Sequence, residues 1–156
     1  MELAALTGRA PNPADEGAEV MLRDDDVVVF GIRERDGIDK TPIRVLDFAR
    51  LTQGELLTTV QDGVAAVSDL PVWLHFDVDV IDADLMPVIF PAGSGLTFNQ
   101  TGTVLETLLG TGQVIGMDIA CFHPNLDQTG AATASLVDLL AKLLTGTTGT
   151  TYLFTS

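Results

Sequence analysis

A cluster of aspartates follows the most apolar segment of the chain, in the stretch HFDVDVIDADLMP at residues 75–87. Alternate residues of a β-strand point to the same face, so Asp77 and Asp79 are expected to project together from the end of a strand. Two carboxylates this close repel each other, and a hard divalent cation removes that conflict by binding both through oxygen. The pair therefore predicts a metal site.

The residue types alone are also compatible with other roles for these aspartates. The aspartates could end the strand by accepting hydrogen bonds from loop amides, without binding any ion. An EF-hand is excluded, because Ile81 and Asp82 stand where its loop needs a ligand and then a glycine. The D-x-D motif of Mn²⁺-dependent nucleotide-sugar transferases also follows an apolar strand. Asp84 has no predicted role beyond the loop.

The composition limits the classes of function. The chain has 156 residues, 46% of them hydrophobic, which is enough for the core of one domain. A net charge of −14 argues against a nucleic-acid partner, and no apolar run approaches the roughly 20 residues of a membrane span. A single cysteine allows no internal disulfide, and the first residues lack a signal-peptide pattern, so we expect a cytoplasmic protein.

Strand and helix patterns alternate along the chain. The predicted strands are residues 26–32, 43–48, 71–78 and 113–120, and the predicted helices are residues 53–69, a segment from Thr97 to Gly110, and residues 129–145. Capping boxes, Thr followed three residues later by Glu or Gln, are expected at Thr52 and Thr97. The alternation predicts a single α/β domain over residues 1–156, with a parallel sheet between helices on both faces. Residues 1–23 are expected to be a loop-like lead-in, and residues 146–156 a tail.

The order and spacing of these motifs resemble the ureohydrolase family, which contains arginases, agmatinases and formiminoglutamases. That family carries D-x-D-x-x-D followed by proline, then G-G-L-T/S, then a strand that ends G-x-D-I-x-E-x-N-P. The corresponding segments here are residues 75–87, GSGLT at 93–97 and GMDIACFHP at 116–124. Upstream, VVVFGIRERD is similar to a family strand with an I-G-x-R-D ending. The resemblance extends over about residues 3–145.

The resemblance implies an arginase-like three-layer α/β/α fold and a dinuclear Mn²⁺ centre. By that resemblance Asp77 and Asp79 are metal ligands, while Asp82 and Asp118 support them. The implied reaction is hydrolysis of a C–N bond of a small guanidino or formimino substrate, with release of urea or formamide. Two cations that share a water lower its pKa and orient it for such an attack.

The chain departs from the family pattern in its histidines. The other family ligands lie in a G-G-D-H segment and a D-A-H-x-D segment of the first half, and neither occurs here. The sequence contains only His75 and His123. It therefore resembles the C-terminal half alone, with an incomplete fold, and we expect it to need the missing N-terminal half or to form a homo-oligomer.

A second departure lies beside the site. Cys121 aligns with the family glutamate that pairs with the substrate guanidinium, and His123 aligns with the following Asn or Ser. Cysteine offers guanidinium no fixed negative charge, so the substrate is open. Cys121 is expected to be buried and inert rather than a nucleophile. His123 is a weaker candidate at the same sheet edge, and His75 is expected to point away from Asp77 as a core histidine.

Two functions from different classes follow from the sequence. The first is the C-terminal part of a Mn²⁺-dependent hydrolase of linear amidines, inactive without its other half. The second is a non-catalytic, truncated arginase-like module with a binding or oligomerising role. Glu106, in the middle of a predicted helix, is expected on a solvated face, with a subunit contact as the alternative. An interrupted parallel sheet exposes apolar surface, so we also expect self-association or marginal stability.

Overall fold

The computed structural model describes residues 2–10, 20–33, 37–67, 69–91 and 93–146. Within them, parallel strands alternate with helices, which confirms the predicted α/β class. The elements are α1 (Glu2–Leu6), β1 (Val28–Phe30), β2 (Arg44–Leu46), α2 (Phe48–Thr52), α3 (Leu56–Ala66), β3 (Val72–Asp77), α4 (Phe98–Leu109), β4 (Val114–Ala120) and α5 (Ala131–Gly146).

The strands form two parallel pairs. Strand β1 pairs with β2, placing Phe30 opposite Leu46, and β3 pairs with β4, placing Asp77 opposite Ala120. Helix α4 makes the crossover from β3 to β4, as a parallel connection requires. The carboxyl ends of β3 and β4 therefore meet at one edge, where the predicted site residues follow each strand.

Two apolar clusters hold the helices against the strands. The first packs β3 against α4 and α5 and the second joins α2, α3 and α4. Neighbouring residues of α4 serve both, since Val104 belongs to one cluster and Leu105 to the other. The buried members of the first cluster are Phe76, Val78, Ile81, Met86, Val88, Leu105, Ala132 and Leu136.

Helix α4 begins at the predicted capping box. The Thr97 hydroxyl accepts from the Gln100 backbone N–H (3.2 Å), and the Gln100 side chain accepts from the Thr97 backbone N–H (2.9 Å). This confirms the sequence prediction, and the reciprocal bonds satisfy two amides that a helix start leaves unpaired. The cap places the preceding GSGLT segment beside the Asp77 loop, through a backbone bridge between Ile81 and Leu96.

The capping box expected at Thr52 is wrong. Thr52 is the last residue of α2, where its hydroxyl donates to the Phe48 carbonyl oxygen (3.0 Å), and α3 begins only at Leu56. Asp47 caps α2 instead, because its side chain accepts from the Arg50 backbone N–H (3.1 Å). The predicted strand at residues 43–48 consequently ends at Leu46.

The chain ends differ in part from expectation. The predicted loop-like lead-in contains helix α1, and residues 11–19 lie outside the described residues. The tail prediction also falls outside them, since the description ends with α5 at Gly146. None of the helices in the described ranges combines the length and apolar character needed to cross a membrane.

Candidate metal centre

The first two site residues lie where β3 ends. Asp77 is the last residue of the strand, and residues 78–80 form a 3-10 turn whose Val78 is fully buried. The buried valine fixes the turn, and the turn carries Asp79 back beside Asp77. The prediction that both project from one extended strand is therefore wrong in its local geometry, although the structure does bring the two carboxylates together.

A third residue joins them from the neighbouring strand. Cys121 follows β4 directly, and the register places its predecessor Ala120 opposite Asp77. One ligand atom each from Asp77, Asp79 and Cys121 lie within 4.8 Å of one another. It is the one such group found among the His, Cys, Asp and Glu side chains of the described residues.

The burial expected for Cys121 from its apolar neighbours is wrong. It is exposed, and its backbone adopts a left-handed conformation with φ of 57°. Residues other than glycine rarely take this conformation, because Cβ crowds the backbone. The turn that reverses the chain after β4 accounts for the exposure, and no local sequence signal distinguishes it from a continuing strand.

The pKa of Asp79 is raised. Burial is the main cause and the neighbouring charge of Asp77 adds to it, while Arg33 acts in the opposite direction. Arg33 Nη2 lies 3.6 Å from Asp79 Oδ1. Two carboxylates in a partly buried site are thus in electrostatic conflict, which a bound cation would relieve.

Arg33 is a site residue that sequence reasoning did not single out. It follows β1, and its guanidinium donates to the backbone carbonyl oxygens of Asp79 and Ser94. It thereby joins the turn after β3 to the segment that precedes α4, across 46 and 61 positions of sequence. The available signal was the I-G-x-R-D-like ending of the first strand.

Two buried polar atoms near the site have no hydrogen-bond partner within the described part of the chain, Asp77 Oδ1 and His123 Nδ1. A buried carboxylate oxygen without a partner is costly, so native structures seldom leave one unsatisfied. A divalent cation would satisfy Asp77 Oδ1 and neutralise the pair. The residues present thus fit a metal ion, and Asp77 and Asp79 would hold it.

Asp82 connects two of the motifs. Its side chain accepts from the backbone N–H of Asp84 (3.0 Å) and of Gly95 (3.1 Å). A Cβ at Gly95 would lie 2.2 Å from the Asp82 backbone nitrogen, so glycine is needed for this approach. Asp82 therefore holds the GSGLT segment against the aspartate loop, and Asp84 takes part through its backbone amide.

Asp118 lies on the sheet rather than among the loops. Trp73 Nε1 donates to its Oδ1 (2.6 Å), and His75 Nδ1 lies 2.6 Å from its Oδ2. Burial alone would raise the pKa of Asp118, but the hydrogen bonds from Trp73 and His75 outweigh it, and the pKa is lowered. Asp118 thus orders Trp73 and His75 on one sheet face, and its support of Asp77 and Asp79 stays a prediction.

The prediction for His75 is wrong. Its side chain is 49% exposed, so it is not a core histidine. It also lies on the same strand face as Asp77, because the two residues are two positions apart. Glu106 is exposed on α4, in keeping with a solvated helix face.

A small cleft of about 100 Å³ opens beside Asp79 and Cys121. His123 belongs to its wall, so both of the candidates after β4 face the same space as Asp79. Most of the surrounding surface is apolar, which would lower the local dielectric and strengthen any charge interaction inside. The lining residues are Asp79, Val88, Ile89, Phe90, Cys121, Phe122 and His123.

Comparison with known proteins defines the class. Residues 13–145 match the sequence profile of the Arginase family. The arginase of Brucella melitensis is 29% identical over 126 residues, covering 76% of this chain and 41% of the relative. The N(omega)-hydroxy-L-arginine amidinohydrolase of Streptomyces lavendulae is 30% identical over 129 residues, covering 81% and 46%.

The fold agrees with that family. The crystal structure of the Bacillus subtilis arginase superposes with a TM-score of 0.82 and 22% identity, covering 98% of this chain and 56% of that one. The chain therefore belongs to the arginase, or ureohydrolase, family, as its motifs indicated. It spans less than half the length of the two curated relatives above.

Proposed function

We propose that this chain contributes the C-terminal part of a Mn²⁺-dependent ureohydrolase site, which hydrolyses a C–N bond of a small guanidino or formimino compound. The observation that carries the proposal is the meeting of Asp77 and Asp79, with a buried Asp77 oxygen that lacks a partner among the described residues. Membership of the arginase family supports the reaction class.

Each residue has a distinct part in this proposal. Asp77 and Asp79 hold the cation, Arg33 fixes the backbone of Asp79, and Asp82 fixes the adjoining loop. When bound, the metal supplies an activated water and polarises the carbon under attack. Cys121 and His123 lie on the cleft side, where the substrate would enter. Cysteine in place of the family glutamate means that guanidinium recognition would need another acidic group.

The proposal includes a missing complement. Two aspartates supply too few oxygens for two ions, and the described residues contain no second cluster of candidate ligands. The open face of the β3–β4 pair, on which Trp73 is 63% exposed and the His75 side chain 49% exposed, is available for association. We therefore propose that activity requires the N-terminal half, joined or as a separate polypeptide, and that a homo-oligomer is the alternative way to cover this face.

Metal binding tests the site. Mn²⁺ titrated calorimetrically into the chain should bind, and Asp77→Asn should weaken that binding by at least about tenfold, because a ligand is lost. Asp84→Asn is the matched control, since it removes the same charge from the same loop without removing a proposed ligand. Equal affinities for the wild type and Asp77→Asn would refute the assignment.

Complementation tests the activity. The chain should release urea or formamide from a guanidino or formimino compound only when mixed with a polypeptide that carries the G-G-D-H and D-A-H-x-D segments. The mixture containing Asp77→Asn should be inactive. If the wild-type and Asp77→Asn mixtures release equal amounts of urea or formamide, the proposal is contradicted.

A non-catalytic module is the second candidate. The replacement of the family glutamate by Cys121 and the absence of the D-A-H-x-D segment favour it. It predicts folded, associating protein whose complemented mixture never produces urea or formamide, even when Mn²⁺ binds. The nucleotide-sugar transferase alternative has no support in the family match.

A further inference from the structure

We infer that Cys121 and His123 make this edge a mixed oxygen, nitrogen and sulfur site that prefers Zn²⁺ or Co²⁺ to Mn²⁺. The inference rests on the proposed metal site and concerns which ion it selects. It assigns Cys121 and His123 as ligands, where the family pattern places a substrate-binding glutamate and an Asn or Ser.

The positions of the atoms support a ligand role for Cys121. Its sulfur lies within 4.8 Å of oxygen atoms from both Asp77 and Asp79, so one ion could contact all three residues. Parallel pairing of β3 and β4 fixes this proximity, since Cys121 follows the residue that lies opposite Asp77. The side chain is also accessible, which leaves a path for the ion.

His123 is the fourth candidate ligand, and because its ring nitrogens lie outside the group of three close ligand atoms, its side chain must turn to reach a shared ion. Its Nδ1 is buried without a hydrogen-bond partner in the described ranges, and the residue lines the same cleft as Asp79 and Cys121. A buried imidazole nitrogen in that condition is poorly satisfied, and coordination would satisfy it. Asp77 Oδ1, at the end of β3, is also buried without a hydrogen-bond partner in the described ranges, so it independently indicates a missing cation.

The donor set decides the metal. Structural Zn²⁺ takes four ligands from Cys, His and carboxylates. Asp77, Asp79 and Cys121 already lie together, and His123 would complete the set once its side chain turns toward them. Mn²⁺ favours oxygen ligands and stands at the weak end of the divalent affinity series, whereas sulfur and imidazole favour Zn²⁺ and Co²⁺. Cys121 and His123, the two departures from the family motif, both favour Zn²⁺ or Co²⁺ over Mn²⁺, because each places a softer donor at the edge of the site.

Cobalt spectroscopy tests the inference directly. Co²⁺ titrated into the full chain under reducing conditions should give a thiolate-to-metal charge-transfer band in the near ultraviolet. Cys121→Ser should lose that band, and His123→Ala should weaken Co²⁺ binding by about 10-fold or more. Because Cys121 is exposed, its substitution should leave the thermal unfolding of the metal-free chain almost unchanged. Asp84→Asn should retain the band and serves as the control.

Competition separates this inference from the proposed function. Zn²⁺ should displace Co²⁺ at concentrations at least about tenfold lower than Mn²⁺ requires, and Cys121→Ser should narrow that difference. Mn²⁺ binding that depends on Asp77 but gives no thiolate band with Co²⁺ would overturn the inference and leave the proposed site standing. Absence of binding by all three ions would overturn both.

Discussion

The two faces of the β3–β4 pair differ sharply, although they alternate along the same strands. On one face Phe76 is 4% exposed and packs with Leu105 and Leu136 from α4 and α5. On the other face Trp73 is 63% exposed, and the His75 side chain, two positions along the strand, is 49% exposed. The covered face contributes to stability, whereas the open face leaves the large Trp73 ring in water.

This difference is unusual for parallel strands. Parallel pairs are normally buried on both faces, because their crossover helices cover them. In the described residues, the expected layer of helices is present on one face of this pair and the other is open. Among the described residues, no helix covers the face that carries Trp73, His75 and Asp118.

The largest expected effect comes from truncating one residue on each face. Phe76→Ala should lower the free energy of unfolding by about 3–5 kcal/mol, since it leaves a cavity in the main core. Trp73→Ala should cost less than about 1 kcal/mol, because its ring is already mostly in water. Urea unfolding followed by far-ultraviolet circular dichroism measures both without relying on tryptophan. Similar losses in the two variants would show that the open face is covered in solution.

A pair of glycine substitutions sharpens the same contrast. A Cβ at Gly63 would lie 2.3 Å from the Phe30 ring and 2.8 Å from Leu46, inside packed structure. Overpacking of about 1–3 kcal/mol should therefore exceed the roughly 1 kcal/mol gained in helix propensity. A Cβ at Gly116 meets the Trp73 ring, at 2.3 Å, and that exposed ring can turn aside. Gly63→Ala should lower the melting temperature more than Gly116→Ala, and the reverse order would be inconsistent with a packed α3 and an open β4 face.

Association through the open face can be followed with one intrinsic probe. Trp73 is the only tryptophan, so its emission should be red-shifted when dilute and shift to the blue as the chain associates. Ile115 is exposed and precedes Gly116, the partner of Trp73 in the strand register. Ile115→Lys should therefore weaken that association by about tenfold or more, since it places a charge beside the Trp73 ring. Val137→Lys is the control, because Val137 is also exposed but lies on α5. If both variants associate alike in sedimentation, the open face is not the interface.

The smallest effect is a pH dependence at Asp118. Its lowered pKa means that its stabilising contribution is present above the unfolded pKa, near 4, and disappears as the pH falls through the lower folded value. Asp118→Asn should therefore melt slightly lower than the wild type at neutral pH, and the two should converge in acid. The side chain is 44% exposed, so solvent screening keeps the difference small. A difference that grows on acidification would contradict the assignment.

Local sequence signals predicted the elements well where one signal stood alone. The capping box at Thr97 is confirmed, because its two bonds involve only neighbouring residues. At Thr52 the same pattern failed, since Asp47 had already started a helix that Thr52 ends. The capping rule finds a residue that is able to cap a helix. It cannot decide which of two nearby candidates, here Asp47 and Thr52, begins the helix.

The proximity of Asp77 and Asp79 was predicted from the sequence, but its local geometry was not. Asp77 and Asp79 do meet, but through a 3-10 turn fixed by buried Val78, a tertiary effect that strand alternation does not contain. The exposure of Cys121 depends on the turn after β4. Arg33 was missed because its partners are 46 and 61 positions away, so the I-G-x-R-D-like ending of the first strand marks the residue but not its contacts.

Arg33 has a consequence for the energetics of the whole domain. Its guanidinium extends from the end of β1 to the Asp79 carbonyl oxygen and lies 3.6 Å from the Asp79 carboxylate. A metal ion at the site would meet this resident positive charge as a competitor for the same carboxylate. Coupling between two such occupants is reciprocal, so the free energy by which the Arg33–Asp79 contact would weaken metal binding equals the free energy by which a bound ion would weaken that contact.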